Sequence, residues 1–202
     1  MRFTELDIKS DIKLNDYYNK RIVISHSDGK PLRFQIPRLY MPFGLSGFTP
    51  EMGPTKWNID FSMKGWNEED NYIKKFYFFL KQVEEHICKF VKENKIEIFG
   101  TQNVDIENIF NSNIKEDNNN GREPKFRVKV DADQSNLIKP RIFDNHENDV
   151  TAVATRGLYA RQTGVALVEL TSVYFLNKKF GLTWKVCQLK VYEPQRLHGF
   201  QF

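Results

Sequence analysis

The chain has 202 residues, 40% of them hydrophobic, with 30 Lys+Arg against 26 Asp+Glu and a net charge of +4. That length carries one domain with a sizeable core and no need of disulfides, and the charge is too mild for a histone-like polycation. No apolar run approaches the roughly 18 residues of a membrane span. The N-terminus, Met1 to Asp7, has no apolar h-region, so it does not read as a secretory signal. Cys88 and Cys187, far apart in sequence, read as two free thiols in a reducing compartment.

Residues 1–19 mix charges with scattered apolars and read as a loosely held arm. Arg21–Ser27 is rich in β-branched residues and predicts a strand. Asp28-Gly29 then predicts a tight turn, with Arg33–Ile36 returning as the hairpin partner. Residues 37–55 hold Pro37, Pro42, Pro50 and Pro54 with three glycines. They predict a long shaped loop, and it carries Tyr40, Phe43 and Phe48. Residues 56–64 alternate, with Trp57, Ile59, Phe61 and Met63 on one face and Lys56, Asn58, Asp60, Ser62 and Lys64 on the other, as in a half-buried strand.

Residues 68–94 predict the one long helix. Asn67 stands at its cap, Glu68, Glu69 and Asp70 in its first turn, and apolar residues from Ile73 to Val91 at helical spacing. Ile96–Phe99 reads as a short strand ended by Gly100. Residues 113–123 and 144–149 are polar loops. Between them Lys125–Asp131 alternates, Phe126, Val128 and Val130 inward and Lys125, Arg127 and Lys129 outward. Val165–Leu176 and Leu182–Tyr192 predict a long hairpin turning through Asn177-Lys178-Lys179. On its second strand Trp184, Val186, Gln188, Lys190 and Tyr192 share one face and Thr183, Lys185, Cys187, Leu189 and Val191 the other. Neither face is wholly apolar, so each would be core at one end and exposed at the other.

With no internal repeat and no second core, the reading is an arm over 1–19, one domain over 20–192 and a tail over 193–202 ending in Phe. The class is mainly β with one long central helix. An OB-fold-like antiparallel barrel with long loops fits the order, its helix expected between the third and fourth strands.

Nucleotide-loop, nucleophile-elbow and zincin motifs are absent. His86 and Cys88 stand two apart on the helix and so do not share a face, which leaves Cys88 a core thiol. The four histidines lack zinc spacing. A calcium loop begun at Asp131 would need Gly at Asn136 and Glu at Ile142. No catalytic residue, metal or cofactor is therefore expected.

Binding chemistry remains. Residues 1–121 carry net −1, whereas residues 122–202 carry net +5, which suggests an anionic partner. Single-strand binders combine a basic groove with aromatics on which bases stack. The candidates are Lys56 and Lys64, the row Lys125, Arg127 and Lys129, the loop group Arg156, Tyr159 and Arg161, the hairpin tip Lys178 and Lys179, and Trp184, Lys190 and Tyr192 on the last strand. Trp184 also fits a core position. The strand edges of the 165–192 hairpin leave a homodimer open.

Two stretches carry a resemblance: Pro42-Phe43-Gly44-Leu45-Ser46-Gly47-Phe48 with the following strand Lys56–Met63, and Gly164–Tyr192, above all Lys179 to Val191. Together they resemble the single-stranded-DNA-binding proteins of nucleo-cytoplasmic large DNA viruses, distant relatives of the replicative single-strand binders of short-tailed phages. The resemblance implies an OB-fold without catalysis and the coating of single-stranded DNA in viral replication, recombination or repair. It also implies contact with replication proteins such as DNA polymerase, and residence in the host cytoplasm (a viral factory) or nucleus. The phage relatives end in an acidic tail closing on an aromatic. Here Phe202 is present, but Glu193 is the only acid after Tyr192, which weakens that parallel. The alternative reading is a virion or assembly protein that grips protein neighbours through residues 37–55.

Overall fold

A computed structural model describes residues 1–69, 71–117 and 121–193; all but Glu193 of the tail expected over 193–202, Phe200 and Phe202 included, lies outside them. After a 3-10 turn at Phe3–Glu5 come α1 (Ile8–Asp11), β1 (Ile12–Tyr18), β2 (Arg21–His26), β3 (Arg33–Gln35), β4 (Leu39–Met41), β5 (Leu45–Phe48) and β6 (Lys56–Ser62). The helices α2 (Tyr72–Glu93), α3 (Lys95–Phe99) and α4 (Ile106–Ile109) follow. Then come β7 (Phe110–Asn111), β8 (Ile114–Asp117), β9 (Arg122–Val130), β10 (Arg141–Phe143), β11 (Gln162–Leu176) and β12 (Lys179–Tyr192).

Five strands close on themselves. β4 pairs with β6, β6 with β9, β9 with β12, β12 with β11, and β11 again with β4. All contacts are antiparallel except β9 with β12, which run parallel at Lys129 and Lys185. The protein is thus mainly β, a five-stranded closed OB-like barrel with one long helix. The expected position of that helix is corrected: α2 lies between the second and third barrel strands, not the third and fourth. Closure leaves one inner surface, filled by Met41, Ile59, Phe61, Phe126, Val128, Ala166, Val168, Leu170 and Trp184 among others. Trp184 meets Phe34 and Phe126 edge-on, with ring centroids 5.6 and 5.4 Å apart, a geometry favoured by the ring quadrupoles. α2 packs on these rings through Phe76, 5.7 Å from Phe126, and Phe79, 5.3 Å from Phe34.

β11 is the rail of the molecule. Along one edge it pairs in turn with β4 at Gln162–Gly164, β3 at Leu167–Glu169 and β2 at Ser172–Tyr174. The expected β2–β3 hairpin is therefore not formed. Gly29 does turn with φ +82, but the two strands sit end to end on β11 instead of side by side. Residues 1–19 are likewise no loose arm: Phe3 is buried against Phe76 and Phe79, and β1 pairs antiparallel with β2.

Three local readings also change. The helix starts at Tyr72, because Asn71 and not Asn67 caps it: the Asn71 side chain accepts from Lys74 N at 2.7 Å and donates to Gly65 O at 2.6 Å. Ile96–Phe99 is helical; Ile98 is buried while Ile96 is exposed, which a strand face would not allow, and Gly100 closes it in the left-handed region. Residues 37–55 contain two short strands, β4 and β5, laid along one edge of β6.

On β12 the pairing steps from Gln188 opposite Leu167 to Val186 opposite Val168. The extra residue, Cys187, is a β-bulge, and a bulge switches which side chains point inward. Trp184 and Val186 face the core before it, Leu189 and Val191 after it. Trp184 and Tyr192 therefore lie on opposite faces, and the mixed polarity of both sequence faces has its cause in this one residue. Cys88 and Cys187 are both free.

Candidate nucleic-acid interface

The outer face of β6 and β9, the second and third barrel strands, gathers the largest set of expected residues. Register pairs Asn58 with Lys129, Asp60 with Arg127 and Ser62 with Lys125, so these side chains stand side by side outside the barrel. Lys56 stands at the β5 end of β6, opposite Phe48. A groove of about 360 Å³ crosses this face, lined by Lys56, Lys115, Arg127, Lys129, Thr183 and Tyr174 among others.

The cations here are not equally available. Arg127 makes two hydrogen bonds to the buried Asp60, at 2.7 and 2.8 Å, and that carboxylate holds its guanidinium pKa above the ordinary value. Lys129 and Lys185 share Asp131, at 2.7 and 2.8 Å. Partial burial works to raise the Asp131 pKa, but the hydrogen bonds from the two lysines prevail and hold it below the ordinary value. Lys115 is half-buried, and burial followed by the nearby Arg127 charge pushes its pKa down. Lys56 and Lys125 make no ion pair among the described residues. Lys115 is likewise outside the ion pairs of the described residues, but its Nζ is tied down to Asn111 Oδ1 and Ser112 O, which leaves Lys56 and Lys125 as the more open cations.

Aromatic rings line the edge next to them. Tyr40 is the register partner of Ser62, Phe48 that of Lys56, and the Phe43 ring lies 5.4 Å from Lys125 Nζ. Exposed fractions of 41% for Tyr40, 52% for Phe43 and 64% for Phe48 mark them as open rings rather than core. The sequence placed all three in a loop and did not select them as site residues. Their signal was aromatic density within a Pro/Gly-rich segment bordering a basic strand.

The other candidates are distributed around the barrel. Arg156 and Arg161 are exposed in the loop before β11, which is tied to the β4–β5 segment by Leu45 N to Leu158 O at 2.8 Å and Arg161 N to Met41 O at 2.9 Å. Tyr159 in that loop is corrected to an anchor: it is buried and its hydroxyl donates to Val150 O at 2.6 Å. Lys178 and Lys179 are exposed at the β11–β12 tip, where Asn177 and Lys178 both have positive φ. Lys64 is exposed just after β6. Lys190 and Tyr192 lie on the outer face of β12, near β10 and away from Lys125. Trp184 is corrected to a core residue, 2% exposed, and offers no stacking surface.

Among the described residues, no cluster of three or more His, Cys, Asp or Glu is arranged to hold a metal ion. Nor is any helix there long and apolar enough to cross a membrane.

The model of a family of unknown function (DUF5871) matches residues 72–201, and the chain belongs to that family. No curated protein matches the sequence. Among solved structures, the C-terminally truncated single-stranded DNA-binding protein from bacteriophage Enc34 is similar at TM-score 0.50 and 9% identity, over 92% of this chain and 96% of that one. The Enc34 protein in complex with ssDNA is similar at TM-score 0.49 and 7% identity, over 93% and 98%. The single-stranded DNA-binding protein gp2.5 of bacteriophage T7 gives TM-score 0.48 and 12% identity, over 85% and 91%. At these identities the likeness is one of fold.

Proposed function

We propose that this protein is a sequence-independent single-stranded DNA-binding protein and not an enzyme, and that the outer face of β6 and β9 is its binding surface. The observation that carries the reading is the row of exposed rings, Tyr40, Phe43 and Phe48, beside Lys56 and Lys125, which make no ion pair among the described residues. Rings give bases a π-face to stack on, and ammonium groups meet the phosphates; neither interaction selects a base. In OB barrels the face of the second and third strands is the one that takes oligonucleotides. The shared fold with a phage protein named for single-stranded DNA binding supports the reading. The resemblance of residues 42–48, 56–63 and 164–192 supports a role in viral DNA replication, recombination or repair.

The test is fluorescence anisotropy of a labelled strand of about 30 nucleotides across a salt series, with duplex as competitor. Expected is tight binding that duplex fails to displace, with log K falling by about 0.7 per phosphate contact for each tenfold rise in salt. Absence of binding at low salt, or equal affinity for duplex, overturns the proposal.

A further inference from the structure

One row of residues crosses every strand of the barrel. Lys125 on β9 is opposite Ser62 on β6, Ser62 opposite Tyr40 on β4, Tyr40 opposite Thr163 on β11, and Thr163 opposite Tyr192 on β12. Register partners project from the same face of a sheet. The row therefore runs round the outside of the barrel from the basic face to Tyr192. At its far end the Arg38 guanidinium lies 3.9 Å from the centre of the Tyr192 ring, and Arg38 Nε donates to Thr163 Oγ1 at 2.7 Å.

Beyond Tyr192 the outer faces of β10, β11 and β12 form a cleft of about 630 Å³, a size in the range of ligand clefts. Val165 and Leu167 give it an apolar floor, Phe143 and Tyr192 are its rings, and Gln35 and Gln188 bring carboxamides to it. A carboxamide donates and accepts alike, so two of them can meet the edge of any base. Lys190 supplies a cation, but its Nζ is 3.3 Å from Glu147, which also lines the cleft and repels a phosphate.

Resting on the function proposed above, we infer that this cleft is a second nucleobase site, occupied by the same strand after it leaves the β6–β9 face over Tyr40 and passes Arg38. Charge at the cleft is set by a single exposed carboxylate, so the inference makes a prediction of gain as well as one of loss.

The experiment compares labelled strands of about 5 and about 16 nucleotides, the span of site sizes for one OB fold, on the full chain and on Tyr192→Ala and Glu147→Gln. On the long strand Tyr192→Ala should weaken binding roughly tenfold, as loss of one stacked base does. Glu147→Gln should tighten it by about twofold or more, by freeing Lys190. On the short strand, held by the β6–β9 face, neither should shift affinity by as much as about twofold. Any other pattern from a protein that binds the long strand tightly overturns the second site and leaves the first standing. Failure of the unsubstituted protein to bind either strand removes both. The gain from Glu147→Gln cannot arise from misfolding.

Discussion

Asp60 lies beneath Arg127, the residue 4% exposed and its carboxylate bound at both oxygens by the guanidinium. The pair is one-sided: the arginine is half in solvent, the acid is not. Removing Arg127 leaves a buried charge without its partner, the costly half of a broken ion pair. Arg127→Ala should lower stability by about 1–3 kcal/mol, less than a fully buried pair because solvent screens the guanidinium. Lys129→Ala should cost less than about 0.5 kcal/mol, since Asp131 keeps Lys185. Urea unfolding of the two variants decides; equal losses would mean that Asp60 needs no partner.

Stacking and core roles separate cleanly by substitution. Phe43→Ala and Tyr40→Ala should change stability by less than about 0.5 kcal/mol and weaken single-strand binding by about 1–3 kcal/mol each. Trp184→Phe should do the reverse, losing about 1–3 kcal/mol of stability through the cavity it leaves and holding its affinity within about twofold. Anisotropy titrations beside thermal melts give both numbers; a stable Trp184→Phe protein with lost affinity would put that ring back in the interface.

Glu84 on α2 is buried, and burial pushes its carboxyl pKa above the ordinary 4.5 against the hydrogen bonds from Ser112 Oγ and Asn113 N. The folded state therefore holds this proton more tightly than the unfolded chain. Its contribution to stability is full below pH 4.5 and is lost as pH rises through the raised value. Glu84→Gln keeps an oxygen for the Asn113 amide and cannot ionise. It should flatten the fall in stability above pH 4.5, as read by urea midpoints across pH. A variant whose stability falls with pH as steeply as that of the parent would assign the dependence elsewhere.

Gly44 has φ +57, and a Cβ there would meet Leu158 O at 2.2 Å and Ala160 N at 2.4 Å. Both are backbone, Leu158 O accepting from Leu45 N and Ala160 N donating to Gly157 O, so neither can give way cheaply. Gly44→Ala should cost about 2 kcal/mol or more and shift the loop carrying Arg156 and Arg161. A melting temperature equal to that of the parent would show that the loop can move away from Gly44 without cost.

How far the sequence discloses this molecule depends on the range of the interaction. Trp57, Ile59 and Phe61 on β6, and Phe126, Val128 and Val130 on β9, alternate cleanly because each strand has one core face, and both strands were legible. α2 was legible from its apolar spacing, though it starts at Tyr72 and not at Glu68, because Asn71 caps it. Arg33 opposite Glu169 and Tyr40 opposite Thr163 were not legible. Three-residue strands carry no period, and their partners lie far along the chain. The site divided the same way. Charge alternation found Lys125, Arg127 and Lys129, but which of them is neutralised depends on Asp60 and Asp131, and that requires register. The placement of Trp184 and Tyr192 on opposite faces hangs on the bulge at Cys187, which alternation alone does not reveal.

The pairing of β2, β3, β4 and β12 on β11 also governs when this protein can fold. β3 has its ladder with Leu167–Glu169, and the barrel cannot close before the strand that follows α2 and β10 has been made. A nascent chain can pair β1 with β2 at once, but β3 must wait for β11, and closure of a very long loop must precede the contacts that reward it. Closure of the barrel is accordingly slow, and until β11 has been made the edges of β3 and β4 are open to unwanted pairing, so a holding chaperone should raise the yield.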